Sequence, residues 1–285
     1  KAGRRDVVGA TLLAGSLFAF MGGFSGLGTG ITSFSVATAA VLFAVSVVIM
    51  VVFLRRARRV ADPLIEIEIL TGRPYLASNV YNFLLGVGVL GVAALVPLYA
   101  VSVYGSSTLE SGLILTPRSV GMLAASAVTS MFLVRWGYRW PMLVGSVVLI
   151  VSVALLGLEP GRGAAGVASG NIWWLLVIMA IAGVGSGIAA PAANNACIEL
   201  MPERVSTITA IRSMFRQAGG AVSVTGGSLL LHVTGNIASG FVYLYLGIAA
   251  LMLLMIPVVF FMPRGPVVRP KPAKEQGTTG VKRGA

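Results

Sequence analysis

The chain has 285 residues, of which 56% are hydrophobic and only 11% charged, with a formal net charge of +12. A soluble domain carries about 25% charged residues, so an ordinary soluble protein is excluded. One cysteine, Cys197, and one histidine, His232, leave neither an internal disulfide nor a zinc constellation.

Taken in chain order, residues 7–54, 75–109, 140–158, 163–198 and 217–263 contain no Asp, Glu, Lys or Arg. A membrane-spanning helix needs about 20 such residues, so the longest runs are helix pairs. A membrane β-barrel would instead alternate polar and apolar residues. The expected fold is therefore an all-α integral membrane protein of about eight transmembrane helices. The first pair is α1 over 7–28 and α2 over 32–54, parted by Gly26, Gly28 and Gly30. Then come α3 over 75–103, α4 over 110–134, α5 over 140–159, α6 over 172–196, α7 over 207–231 and α8 over 239–262. Gly105-Ser106-Ser107 and Glu159-Pro160-Gly161 punctuate the breaks. The expected organisation is a helix pair over 1–60, a cytoplasmic connector over 61–74, a six-helix bundle over 75–263 and a disordered basic tail over 264–285.

The basic residues fall between apolar runs, where lipid headgroups lie, and do not indicate a nucleic-acid partner. One side of the predicted topology holds Lys1, Arg4, Arg5, Arg55, Arg56, Arg58, Arg59, Arg73, Arg135, Arg139, Arg204 and the basic tail. The other holds Arg162. Cytoplasmic loops carry the Lys and Arg excess, so both ends are expected in the cytoplasm of a cell whose plasma or inner membrane holds the protein. No cleavable signal peptide is visible, and the chain opens on Lys1 rather than Met, so an upstream portion is expected.

Polar side chains within a membrane are costly and mark cavities or helix contacts. They concentrate on four helices: Asn79 and Asn82 on α3, Arg118 on α4, Asn194 and Asn195 on α6, and Arg212, Arg216 and Gln217 on α7. These four are expected to line a wet path, with Asn79, Asn82, Arg118, Asn194, Asn195, Arg216 and Gln217 at its wall. Arg118 lies about 12 Å inside α4 by helix rise. Its expected role is functional rather than packing, whereas Arg212 is expected to snorkel to lipid phosphates. No carboxylate falls deep in a span. Gly183 and Gly187 on α6, and Gly219, Ser223 and Gly227 on α7, form small-residue stripes for close helix packing. Gly183-Val-Gly185-Ser-Gly187 follows no strand and is not a nucleotide loop. Pro97, Pro117 and Pro191 are expected to kink their spans.

Several stretches resemble the fourteen-helix drug:proton antiporter branch of the major facilitator superfamily. Asp62-Pro-Leu-Ile-Glu-Ile-Glu-Ile-Leu is similar to that branch's connector. Glu110-Ser-Gly-Leu-Ile-Leu-Thr-Pro-Arg118 resembles its GL-x-x-x-PRG helix start, with Ser119 in place of Gly. Arg216-Gln-Ala-Gly-Gly-Ala221 resembles its RQ-x-GG helix. The superfamily loop signature G-x-x-x-D-R-x-G-R-R is degenerate at Ser130 to Arg139. Arg135, Gly137 and Arg139 remain as a gating loop, but Val134 stands where the acid would be. The resemblance covers residues 1 to about 263. It implies two linker helices followed by the C-terminal six-helix bundle, with α3–α5 and α6–α8 as inverted repeats. It also implies that an N-terminal six-helix bundle, carrying the proton-binding carboxylate, completes the molecule.

The expected function is part of a secondary active antiporter that exports small amphipathic compounds, cations among them. The proton gradient supplies the energy, with no cofactor, no metal and no catalytic residue. The alternatives are the same scaffold exporting a lipid precursor, siderophore or amino acid, or a membrane scaffold subunit that transports nothing. A scaffold has little need of polar residues inside the membrane. A membrane enzyme would need a nucleophile, metal cluster or deep acid–base pair, and the sequence offers none.

Overall fold

A computed structural model of the chain describes residues 7–28, 33–57, 72–158, 172–200 and 205–262. The predicted connector up to residue 71 and the basic tail lie outside the described residues, as do Gly30, Arg162, Arg204 and the Glu159-Pro160-Gly161 break. Among the described residues there are eight long helices. They are α1 Val7–Gly28, α2 Ser33–Ala57, α3 Arg73–Tyr104, α4 (Thr108–Leu113 continued by Leu115–Trp136), α5 Arg139–Leu158, α6 Ile172–Glu199, α7 Val205–Thr234 and α8 Ile237–Val259.

Five of these, α3, α4, α5, α6 and α8, are long and apolar enough to cross a membrane. The apolar stretches of α1 and α2 are shorter, at Val8–Gly23 and Ala37–Phe53. α7 is 30 residues long, yet it falls outside the apolar set because Arg212, Arg216 and Gln217 interrupt it.

Two breaks follow from proline. Pro117 has no N–H to offer the carbonyl of Leu113 four residues earlier, and α4 is interrupted at Ile114. Pro257 stands in the same relation to Leu253, and α8 breaks at Leu253–Leu254. α6 runs unbroken through Pro191, and the irregularity of α3 is a π turn over Val87–Gly91, ahead of Pro97. Gly86, Gly88 and Gly91 favour the helix only weakly there, and α7 presses its backbone onto that stretch.

In lipid, apolar burial gives helices little reason to associate, so close van der Waals packing decides. α3 and α7 run side by side in the same direction: Gly86 meets Arg216, Gly91 meets Ser223 and Gly227 meets Leu95. α4 and α6 pair in the same manner, with Gly183 against Arg118 and Gly187 against Met122. α5 runs antiparallel to α6, Gly145 lying against Gly185 and Ala189. α8 closes the bundle through an aromatic cluster in which Tyr99 touches Phe241 and Tyr245, at ring centroids 4.9 and 5.3 Å apart. α1 and α2 form a hairpin, pinned by a hydrogen bond from the Ser46 hydroxyl to the Ser16 carbonyl (2.7 Å). The hairpin leans on the start of α3 and on α7, where Leu13 and Phe53 share a buried cluster with Tyr75, Cys197, Ile208 and Ile211.

Candidate functional site

The two backbone crossings are built alike. On α7, Arg216 places its carbonyl against Gly86, and Gly219, three residues on, meets the Phe83 carbonyl. On α4, Arg118 places its carbonyl against Gly183, and Gly121, three residues on, meets the Ala180 carbonyl. An Arg-x-x-Gly step on one helix thus fits a carbonyl and a glycine three residues apart on its partner, once where α7 crosses α3 and once where α4 crosses α6. A methyl group at any of the four glycines would strike a neighbouring backbone carbonyl. The stripe residues Gly183, Gly187, Gly219, Ser223 and Gly227 therefore all sit at helix contacts, and the crossings fix where each arginine leaves its helix.

Arg118 donates from Nη2 to the Val89 carbonyl (2.9 Å), which belongs to the π turn midway along α3. The guanidinium therefore reaches across to a neighbouring helix rather than to carbonyls near Pro117. Among the described residues the Arg216 side chain makes no hydrogen bond, and its Nε is buried without a partner. It lies within electrostatic reach of both Arg118 and Arg212. Arg212 departs from expectation. It is only 8% exposed and donates to Asn194 Oδ1 on α6, so it does not snorkel to the surface. A signal was present: Arg212 sits one turn before Arg216 on the face that packs against α3.

Asn79 and Asn82 are both buried on α3. Asn82 spends its Nδ2 on the Ser78 carbonyl one turn back (2.8 Å), while the side-chain oxygens of Asn79 and Asn82 have no partner. Asn194, Arg212, Asn79 and Cys197 thus come together where α3, α6 and α7 meet. Asn195 stands apart: it is exposed, and its amide bonds the Pro191 carbonyl of its own helix (2.9 Å). Gln217 is exposed and lines a cavity of about 820 Å³ between α1, α3 and α7, with Phe18, Met21, Leu90, Thr225 and Ser228. The linker helix as a cavity wall was not read from sequence, because nothing local in Phe18 or Met21 marks them.

The α4–α5 turn keeps its geometry without its acid. Gly137 adopts φ 68°, a left-handed conformation that suits glycine. Arg139 donates from Nε to the Met262 carbonyl (2.9 Å) and from Nη2 to the Phe260 carbonyl (2.6 Å), so a cation caps the end of α8. Arg135 is exposed. Tyr138, absent from the sequence reading, donates to Glu199 Oε1 at the end of α6 (2.8 Å). Burial, and next the Glu199 carboxylate, hold its hydroxyl above the ordinary phenol range.

A family model described as Major Facilitator Superfamily matches residues 80–284. Among curated relatives, "Multidrug resistance protein 3" of Bacillus subtilis (strain 168) is 28% identical over 188 residues, 65% of this chain and 35% of that protein. The "Tetracenomycin C resistance and export protein" of Streptomyces glaucescens is 28% identical over 200 residues, 68% of this chain and 36% of the relative. "Quinolone resistance protein NorB" of Staphylococcus aureus (strain MRSA252) is 27% identical over 211 residues, 74% of this chain and 44% of the relative. The chain therefore spans about a third to a half of the length of the curated relatives it matches.

Proposed function

The chain belongs to the major facilitator superfamily, and from that premise we propose that it forms part of a proton-coupled antiporter of the fourteen-helix drug-exporting branch, moving small amphipathic compounds out of the cell. One observation carries this reading. The strongly polar side chains of the membrane helices converge on α3, α4, α6 and α7, and several buried polar atoms there have no partner among the described residues. Unsatisfied polar groups in a membrane interior are expensive and fit a wall that meets water, solute or a second bundle during a transport cycle. Relatives named for drug resistance and export support the substrate class.

In this reading α1 and α2 are linker helices, α3–α8 form the C-terminal bundle, and an N-terminal bundle supplies the proton-carrying carboxylate. The termini lie in the cytoplasm, and the α4–α5 turn with Arg135, Gly137 and Arg139 gates the cytoplasmic side. The energy source is tested in inside-out vesicles that contain the complete transporter. A fluorescent amphipathic dye is expected to accumulate when a proton gradient is imposed and to leak away when a protonophore collapses it. Accumulation that survives the protonophore would remove proton coupling.

A further inference from the structure

The three membrane arginines hold more positive charge than the described residues answer. Among the described residues the carboxylates are Glu110 and Glu199. Glu110 closes the cap of α4 with Ser107, and Glu199 accepts from Tyr138. The hydrogen-bond partners of the arginines are neutral: the Val89 carbonyl for Arg118 and the Asn194 amide for Arg212. Arg216 has none.

Geometry concentrates this charge. Arg216 crosses α3 at Gly86, and Arg118 reaches α3 at Val89, three residues or about one turn further on. The Arg118 guanidinium thus attends this turn of α3 at mid-depth of a 32-residue span, where the Arg216 backbone crosses, and the Arg216 side chain lies within electrostatic range of Arg118 and of the Tyr81 hydroxyl. The backbone crossings hold both arginines in place, so neither charge can retreat by sliding its helix. Arg216 also directly precedes Gln217 and lies one turn before Gly220, both of which line the 820 Å³ cavity.

We propose that Arg216, with Arg118 beside it, is a recognition site for a carboxylate. Resting on the transport reading above, it gives that reading a charge: the group bound at this wall is an anion. A planar guanidinium fork binds a carboxylate through two parallel hydrogen bonds, and of the three arginines Arg216 alone makes no side-chain hydrogen bond among the described residues. The carboxylate has two possible sources, an acidic amphiphile carried as substrate or an acidic side chain from the rest of the transporter. In the first case, apolar Phe18, Met21 and Leu90 face the body of the molecule while Arg216 takes its acid.

The test uses the complete transporter in lipid nanodiscs, with pyrenebutyric acid and its methyl ester as probes, read by energy transfer from tryptophan at neutral pH. If the substrate brings the acid, the unaltered protein binds the acid roughly tenfold or more tightly than the ester. Arg216→Gln then removes that preference and leaves ester binding unchanged. If the protein brings the acid, the two probes bind alike, and Arg216→Gln makes a carboxyl group react with dicyclohexylcarbodiimide at a pH where the unaltered protein resists. A folded Arg216→Gln protein that changes neither probe preference nor carbodiimide reactivity overturns the proposal. Should Arg216→Gln fail to insert, Arg216→Lys replaces it. A lysine variant with a weakened acid preference or partial carbodiimide protection supports the site, and one identical to the unaltered protein in both readouts overturns it. Failure of the unaltered protein to bind either probe counts against the transport reading, while the carbodiimide arm still decides the carboxylate site.

Discussion

Arg118 and Arg212 show two ways of keeping a cation in a membrane interior. Arg118 spends one donor on Val89, whose carbonyl also accepts from the Val92 N–H of the same π turn. Removing the guanidinium therefore orphans no buried acceptor. Arg118→Ala is expected to reach the membrane in normal amount and to lose proton-driven efflux, with Arg118→Lys retaining part of it because the charge persists without the fork. Normal abundance with normal efflux in Arg118→Ala would contradict this. Arg212 is more deeply buried and depends on Asn194. Asn194→Leu leaves that buried donor without its acceptor and should lower stability by about 1–3 kcal/mol. Adding Arg212→Leu should recover much of the loss, measured as Tm in detergent. Both residues were visible in the sequence as polar interruptions of apolar runs. Their partners were not, since Val89 and Asn194 lie on other helices and no local spacing reports a contact between helices.

At the scale of the helix, glycine positions matter by what faces them. Gly219 lies against the Phe83 carbonyl and the Val87 N–H, whereas Gly226, seven residues along α7, has nothing within 4 Å. Gly219→Ala should destabilise the α3–α7 pair by about 1–3 kcal/mol through overpacking. Gly226→Ala should be neutral or raise stability by up to about 1 kcal/mol from helix propensity. Equal thermal shifts for the two would show that α7 packs elsewhere. The small-residue spacing on α6 and α7 was legible in the sequence because a four-residue period marks one helix face. The π turn was not, because three glycines in six residues signal weak helix formation without saying which way the helix yields. Pro257 was overlooked, although its missing N–H accounts for the break at Leu253 as directly as Pro117 accounts for the break at Ile114.

At the scale of the molecule, long uncharged runs gave the membrane fold and the sequence of helices, since only helices and closed barrels satisfy a backbone in lipid. Hydropathy could not reveal that the α1–α2 hairpin leans on α7 and that α1 adds Phe18 and Met21 to the cavity. The proposed orientation is testable at Asn195, which is exposed where Cys197 is 1% accessible. With Cys197 replaced by Ser, Asn195→Cys should react with an impermeant thiol reagent in inside-out vesicles and not in intact cells, and labelling from outside alone would reverse the topology. The most direct test of the account asks whether its polar wall meets water during transport. Cysteines introduced singly at Gln217 and Asn194 in the complete, Cys197-free transporter should react with a small charged thiol reagent, and a transported dye should slow that reaction. Cysteines at Ser146 and Ser152, both fully buried on α5, should react far more slowly and be indifferent to the dye. Equal reactivity at all four positions, or no protection at Gln217 and Asn194, would contradict the claim that α3, α4, α6 and α7 wall a transport path.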